Sequence, residues 1–263
     1  MRISLSIVSL LMDMAEQPPE NKLKHRCFPQ PPDTAVRVWR YMDLAKLVWT
    51  LVNRKLWLSR IDLLQDPHEG STPRPLALER DEWLREHGAG QILGQLSQDN
   101  QNTRTRIYVS CWHSGNAESE AMWRLYCPGG QGVAIQTTYQ KLVDSIAHDE
   151  QLFIGLVEYL DYDTQSFPDG NFFYPIMHKR SSFEHEHEVR LVKTPPELWG
   201  PPGTVGPPGI TVDWEIDPLI EAIYVAPYAA AYFHEVVQAI VKQFAPNLEP
   251  SVRWSKMRAE PVY

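Results

Sequence analysis

The chain has 263 residues, of which 43% are hydrophobic and 22% are charged, a composition typical of a globular protein. It carries 25 Lys and Arg residues against 33 Asp and Glu residues, a formal net charge of −8. These values exclude a collagen-like, coiled-coil or wholly disordered chain. The acidic balance also does not favour a broad nucleic-acid interface, which needs clustered basic residues.

The cysteines and the N-terminal residues indicate the compartment. Cys27, Cys111 and Cys127 form no CxxC pair, and such sparse thiols are typical of a reducing compartment. The apolar stretch Ile3–Leu11 is too short to span a bilayer, and no small-residue cleavage site precedes Asp13. We therefore expect a cytoplasmic protein without membrane contact.

Hydrophobic periodicity and turn residues predict the elements in chain order. Proline-rich polar residues predict a mobile leader at 1–34, followed by one domain at 35–263. Alternating or continuous apolar runs predict strands at 36–41, 56–59, 107–112, 132–136, 153–162, 188–192 and 222–225. Apolar residues at helical spacing predict helices at 43–54, 76–98, 118–126, 139–147 and 231–244. The prolines and glycines of 195–209 predict a loop within the domain.

Strands and helices interleave irregularly, without a glycine-rich βαβ unit. This order predicts an α+β fold: a single domain whose central, mostly antiparallel sheet is interrupted and flanked by helices. Asp43 is the expected N-cap of the first helix. Met122, Trp123 and Tyr126 lie at helical spacing, which favours core packing over an exposed stacking surface.

Three sets of motifs follow one another along the chain. The first is Arg40-Tyr41, Leu56-Trp57-Leu58-Ser59 and the DP-x-EG turn Asp66-Pro67-His68-Glu69-Gly70. The second is Ser110-Cys111-Trp112, Ala121-Met122-Trp123-Arg124-Leu125-Tyr126 and Gly132-Val133-Ala134-Ile135. The third is His178-Lys179-Arg180, Phe183 and Glu186-His187-Glu188-Val189-Arg190. In this order and spacing they resemble the bacterial domain of unknown function 2971 family over residues 36–263. The resemblance implies little about activity and a context of mobile elements and phage defence.

The densest charged motif is Glu186-x-Glu188-x-Arg190, preceded by Lys179 and Arg180. Alternation along a strand would place Glu186, Glu188 and Arg190 on one face. Two carboxylates at this spacing repel unless a cation, a metal or a substrate hydroxyl lies between them, and their proximity favours acid–base catalysis. The alternative is a solvent-facing row that Arg190 and Lys179 merely neutralise.

An Arg on an early strand, a Ser on a middle strand and Glu-x-Glu on a late strand resemble the Arg–Ser–Glu layout of ADP-ribosyltransferases. The resemblance implies NAD as substrate, with Arg40 holding its phosphate or ribose and Ser110 supporting the nicotinamide ribose. Glu188 would be the catalytic carboxylate that stabilises an oxocarbenium-like state, and Glu186 would orient the acceptor. Replacing Glu188 by Gln is then expected to abolish activity and leave the fold intact. The remaining expected binding residues are Tyr41, Lys179, Arg180 and Arg190.

Two other functions stay open at this point. The first is a metal-dependent phosphodiester hydrolase, although Asp66-Pro67 also fits an ordinary turn and the transferase hypothesis expects no metal. Its oxygen-rich ligand set would be Asp66, His68, Glu69, His178, Glu186 and Glu188. The second is a non-enzymatic sensor or partner-binding module of a defence system, with an unknown protein partner. Convergence of Arg40, Ser110 and Glu188 on one cleft would favour the enzyme, whereas carboxylates paired on an open face would favour the module.

Overall fold

The computed structural model describes residues 25–149, 151–198 and 203–261. Its strands are β1 (Arg37–Asp43), β2 (Lys55–Arg60), β3 (Tyr108–Ser114), β4 (Gly132–Thr138), β5 (Leu152–Leu156), β6 (Glu158–Leu160), β7 (His178–Arg180), β8 (Glu188–Lys193), β9 (Gly209–Asp213), β10 (Ala222–Val225) and β11 (Val252–Trp254). Its helices are α1 (Leu44–Asn53), α2 (Arg74–Glu86), α3 (Leu93–Arg104), α4 (Glu120–Tyr126), α5 (Tyr139–Ser145), α6 (Tyr174–Met177), α7 (Ile216–Leu219) and α8 (Ala231–Phe244).

Within the described residues, nine strands form one sheet in the order β11-β10-β4-β1-β3-β2-β9, with β8 paired to β3 and β5 paired to β8. Every pair in this sheet is antiparallel except β10 with β11. One edge of β3 pairs with β8, while its other edge is shared by β1 and β2. β6 and β7 form a separate parallel pair. The predicted α+β fold with a mostly antiparallel sheet is confirmed.

Segments with strong hydrophobic periodicity form the helices and strands that were predicted. Segments interrupted by glycine or by irregular spacing differ from the prediction. α1 begins after Asp43, whose side chain accepts a hydrogen bond from the backbone N of Lys46 at 2.8 Å. The helix predicted over 76–98 is two helices, because Gly88 takes a left-handed φ of 68° after α2 ends. The strand predicted over 153–162 is β5 and β6, which belong to different sheets. β9 follows the Pro/Gly-rich segment and has no counterpart in the prediction.

Residues 25–34 pack against the domain. Phe28 is only 1% exposed, and its ring stacks on Phe153 with the centroids 5.1 Å apart. The leader predicted over 1–34 therefore extends too far, and residues 1–24 lie outside the described residues. Of the loop predicted over 195–209, residues 199–202 also lie outside them, while the backbone N of Gly206 donates to the carbonyl of Thr105 at 3.0 Å.

The apolar core lies on both faces of the sheet. A larger cluster joins Leu47 of α1, Ile135 of β4 and Val237 of α8, and a smaller one joins Phe28 and Met177. No helix in the described part of the chain is long and apolar enough to cross a bilayer.

Candidate active site

Strand register places a row of polar side chains on one face of the sheet. β3 and β8 pair Cys111 with Arg190 and His113 with Glu188, so these four side chains share a face. β1 pairs Trp39 with His113 and adds Trp39 to it. We call this side of the sheet the site face.

Arg190 lies at the centre of the site face and is fully buried. Its Nε and Nη2 donate to the carboxylate of Glu188 at 2.6 and 2.9 Å. Its Nη1 and Nη2 donate to the carboxylate of Glu69 at 3.0 and 3.3 Å, and Nη1 also donates to the carbonyl of Ile176 at 2.6 Å. All five N–H donors of the guanidinium are thereby used, as a buried arginine requires.

Lys179 is the second cation of the same group. Its Nζ lies 2.7 Å from Oε2 of Glu186, 2.9 Å from Oε1 of Glu69 and 3.6 Å from Oε2 of Glu188. None of these residues or Arg190 is more than 8% exposed. We call the five residues the carboxylate cluster: three carboxylates share two cations, which leaves one formal negative charge in excess.

The DP-x-EG turn delivers Glu69 to the cluster. Oδ1 of Asp66 accepts a hydrogen bond from the backbone N of His68 at 3.0 Å, and Gly70 takes a left-handed φ of 69°. The carboxylate of Asp66 also accepts a hydrogen bond from Nη2 of Arg180 at 2.7 Å, which ties the turn to β7. Arg180, expected among the binding residues, therefore holds the turn that positions Glu69.

Glu186 and Glu188 do not lie on one strand, so the predicted common strand face is wrong for Glu186. Glu186 ends the 3₁₀ turn Ser181–Glu186, His187 takes a left-handed φ of 40°, and β8 begins only at Glu188. The turn still brings both carboxylates to Lys179. His113 Nδ1 donates to the backbone carbonyl of Glu186 at 2.7 Å, which fixes the end of the turn.

Opposite charges keep Glu188 and Lys179 ionised although both side chains are buried. Burial alone would raise the pKa of Glu188, but the charge and hydrogen bonds of Arg190, together with Lys179, lower it below the ordinary 4.5. Burial would lower the pKa of Lys179, yet Glu188 and Glu69 raise it. The pairing with Arg190 and Lys179 expected for a neutralised row is present. The row is buried, however, and does not face solvent.

Two further side chains of the site face are neutral near pH 7. Burial raises the pKa of the Cys111 thiol well above its usual value, and the charge of Glu188 adds to this. Burial lowers the pKa of His113, although the hydrogen bond to Glu186 opposes it. Neither group offsets the excess negative charge of the cluster.

A small cavity of about 30 Å³ opens beside Glu186 and Glu188. Its other lining residues are aromatic, apolar or neutral at pH 7: Trp39, Tyr41, Cys111, Trp112, His113, Met122 and Tyr126. Oε2 of Glu186 accepts a hydrogen bond from Lys179, whereas its Oε1 has no hydrogen-bond donor among the described residues. A carboxylate oxygen is thus left over for a ligand.

The aromatic residues of the cavity correct one core prediction. Met122 and Trp123 are 5% and 1% exposed, as core packing requires, but Tyr126 is 42% exposed. Because Tyr126 both lines the cavity and reaches solvent, it lies at the cavity mouth. Tyr41 also lines the cavity, and its Oη accepts a hydrogen bond from the backbone N of Ser119 at 2.9 Å.

Arg40 and Ser110 lie on the face of the sheet opposite Glu188. Ser110 pairs with Leu191 and alternates with Cys111. It is 2% exposed, and its Oγ has no hydrogen-bond partner among the described residues. Arg40 and Ser110 therefore do not converge with Glu188 on one cleft, because successive residues of a strand point to opposite faces.

Arg40 alternates with Trp39 and contacts the other face. Its guanidinium lies 5.8 Å from the ring centroid of Trp112, and its Nη2 donates to the carbonyl of Trp57 at 3.2 Å. Burial lowers the pKa of Arg40 to about 10.

The six residues predicted as metal ligands do not form a metal site. Within residues 25–149, 151–198 and 203–261, no group of three or more His, Cys, Asp and Glu is arranged to hold a metal ion. His178 Nδ1 donates to the carbonyl of Tyr174 at 2.7 Å, and its Nε2 lies 3.3 Å from Glu158. The place that a cation would take among Glu69, Glu186 and Glu188 is held by the ammonium of Lys179.

The sequence predicted no role at the site for Trp39 or His113. Tyr159 Oη accepts a hydrogen bond from the backbone N of Glu188 at 2.8 Å, and burial raises the pKa of this phenol. Glu69 was considered only as a metal ligand, although its place in the DP-x-EG motif marked it. Trp39 precedes the Arg40-Tyr41 motif by one residue, and only the register shows which of these residues face Glu188.

Comparisons with known proteins give two solved structures with a weak likeness. The structure described as "Thermus sp. 2.9 DarT in complex with NAD+" has a TM-score of 0.42 and 12% identity, covering 88% of this chain and 100% of that one. "Thermus sp. 2.9 DarT in complex with ADP-ribosylated ssDNA" has a TM-score of 0.41 and 11% identity, with coverages of 88% and 99%. No family model and no curated protein matches the chain. The resemblance to the domain of unknown function 2971 family and its phage-defence context therefore stay predictions, and we base the function on this chain's own residues.

Proposed function

We propose that this protein is an ADP-ribosyltransferase-like enzyme that breaks the bond between nicotinamide and ribose in NAD and transfers ADP-ribose to an acceptor. The observation that carries the proposal is the excess negative charge of the buried carboxylate cluster beside an aromatic cavity. As nicotinamide leaves with the bonding electron pair, positive charge develops on the ribose. Fixed carboxylates stabilise that charge strongly where water is excluded.

We assign the roles of the two glutamates from their hydrogen bonds, and this assignment differs from the one that the resemblance implies. Both oxygens of Glu188 accept hydrogen bonds from Arg190, so Glu188 supplies a fixed charge. Glu186 keeps Oε1 for the substrate and contacts the ribose. The acceptor's oxygen or nitrogen then forms the new bond to the anomeric carbon, and its proton passes to Glu186.

Substrate entry requires a local movement at the cavity mouth. The cavity of about 30 Å³ is far smaller than pockets for drug-sized ligands, which measure roughly 300–1,000 Å³. Tyr126 is the cavity residue most exposed to solvent, and we expect it to turn outward when NAD binds.

Release of nicotinamide from NAD tests this proposal in the purified protein. Glu186→Gln is nearly isosteric and is expected to slow release by about 100- to 1,000-fold, the usual effect of losing one preorganised electrostatic contact. Glu184→Gln is the matched control, because Glu184 lies on the same 3₁₀ turn but is exposed. It should release nicotinamide at the wild-type rate.

Two results would contradict the proposal. Equal rates for Glu186→Gln and wild type would remove Glu186 from the reaction. No nicotinamide release by folded wild-type protein would favour the non-enzymatic module, in which the cluster serves only the fold.

A further inference from the structure

A groove of about 430 Å³ lies next to the cavity on the site face. Trp39 lines both spaces, so the groove continues the cavity across β1, β4, β10 and β11. Register places Gln136 of β4 opposite Trp39 and Arg253 of β11 opposite Tyr224. The groove is therefore floored by side chains of the same sheet face that carries Glu188.

Three basic side chains line this groove in a chain whose net charge is −8. They are Arg37, Arg253 and Lys256, and within the described residues none of them forms an ion pair with a carboxylate. Arg37 Nη1 donates to the carbonyl of Asn116 at 3.0 Å, and the guanidinium of Arg253 lies 6.0 Å from the ring centroid of Tyr224. Their positive charge is left for a ligand.

The two acidic residues that line the groove, Glu118 and Glu221, already have partners in the protein. Glu118 accepts hydrogen bonds from the backbone N of Lys256 at 2.8 Å and from Nε1 of Trp123 at 3.1 Å. Glu221 forms an ion pair with Lys141 at 2.9 Å. The groove thus presents net positive charge to anything that enters it.

Gln136 gives the floor of the groove a polar group without a partner. The residue is 6% exposed, lines the groove, and its side-chain amide makes no hydrogen bond with another described residue. The amide lies at the surface of the groove, where a ligand can both accept a hydrogen bond from its NH2 and donate one to its oxygen.

We propose that this groove binds the diphosphate of a nucleotide substrate whose glycosidic bond reaches the carboxylate cluster past Trp39. Arginine and lysine are the side chains that bind phosphate, and the volume lies in the range of small-molecule sites. The identity of the nucleotide as NAD rests on the proposed function. Binding of the phosphates does not, because it needs no reaction.

Calorimetric titration with ADP-ribose tests the groove without catalysis. The double variant Arg253→Ala, Lys256→Ala is expected to bind ADP-ribose at least about tenfold more weakly than wild type, since it loses two cations next to the diphosphate. Arg85→Ala is the matched control, because Arg85 is an exposed arginine of α2 outside the groove, and its affinity should equal that of wild type. Raising the salt concentration should weaken binding to wild type more than to the double variant.

The two proposals fail in distinguishable ways. Unchanged affinity in the double variant, or no saturable binding of ADP-ribose to wild type, would contradict the proposal that the groove binds the diphosphate. A different result is that wild type binds ADP-ribose, and the double variant binds it more weakly, while wild type releases no nicotinamide from NAD. That result would support the phosphate site and contradict the proposed reaction.

Discussion

At the residue scale, the buried ion pairs of the carboxylate cluster make the fold sensitive to the loss of any one of its five side chains. Arg190 has every donor used, and each carboxylate of the cluster contacts at least one of the two cations. Removing one member breaks buried charge-assisted hydrogen bonds: in Glu188→Gln an amide NH2 replaces one of the two oxygens that accept from Arg190. Such a change costs about 3–5 kcal/mol in typical buried ion pairs.

Glu188→Gln is therefore expected to lower the free energy of unfolding by about 3 kcal/mol at neutral pH. The sequence alone predicts that this variant leaves the fold intact. The structure leads to a different expectation, because Glu188 is buried. Chemical denaturation of both proteins measures the difference.

The stability difference between wild type and Glu188→Gln should shrink in acid. The folded-state pKa of Glu188 lies below its ordinary value of 4.5, so the unfolded state binds the proton first as the pH falls. Wild type therefore loses this stabilisation progressively below pH 4.5, whereas the variant has no such group to titrate. A difference that stays constant from neutral pH into this range would contradict the assignment of a lowered pKa.

At the scale of elements, hydrophobic periodicity and turn residues were sufficient to predict most helices and strands. α8 spans Ala231–Phe244, the residues that its spacing predicts, and the predicted bounds of β10 also agree. The 3₁₀ turn before β8 was not predictable in this way, because His187 adopts a left-handed conformation that few residues other than glycine take. Contacts of Glu186 and Glu188 with Lys179 outweigh that local preference.

The DP-x-EG turn provides a test at this scale. Gly70→Ala is expected to destabilise the protein by about 1–2 kcal/mol through its positive φ, and further because its Cβ would lie 3.2 Å from Cδ1 of Ile176. It should also slow nicotinamide release, since Gly70 directly follows Glu69 and a shift of the turn would move that carboxylate. Gly88→Ala is the control for the cost of placing alanine at a positive φ. Gly88 has a φ of 68°, and nothing lies within 4 Å of the added Cβ.

Thermal unfolding and nicotinamide release measured on both glycine variants separate the two effects. A greater loss of stability and activity for Gly70→Ala supports the role of the turn. Equal effects of the two substitutions would show that the turn does not position the cluster.

At the scale of the whole molecule, motifs that are far apart in sequence meet in one place. Glu69 and Arg190 are separated by 121 positions and bind each other at the cluster. The sequence indicated both motifs but not their contact, because β-sheet register depends on long-range pairing. The same limit explains Arg40 and Ser110: their strands were predicted correctly, and only the register shows that they face away from Glu188.

The net charge of the chain did not predict the cluster of basic residues in the groove. A charge of −8 did not favour a nucleic-acid interface, yet Arg37, Arg253 and Lys256 come together from distant segments in one groove. Average composition carries no information about such clustering.

In the proposed function the carboxylate cluster, and not Arg40 on the opposite face, stabilises the charge that develops on the ribose. The kcat/KM for nicotinamide release from NAD, measured for Glu186→Gln and Arg40→Met beside wild type, tests it most directly. We predict a loss of about 100-fold or more for Glu186→Gln and a value close to wild type for folded Arg40→Met. A loss for Arg40→Met as large as that for Glu186→Gln, or no loss for Glu186→Gln, would contradict the claim.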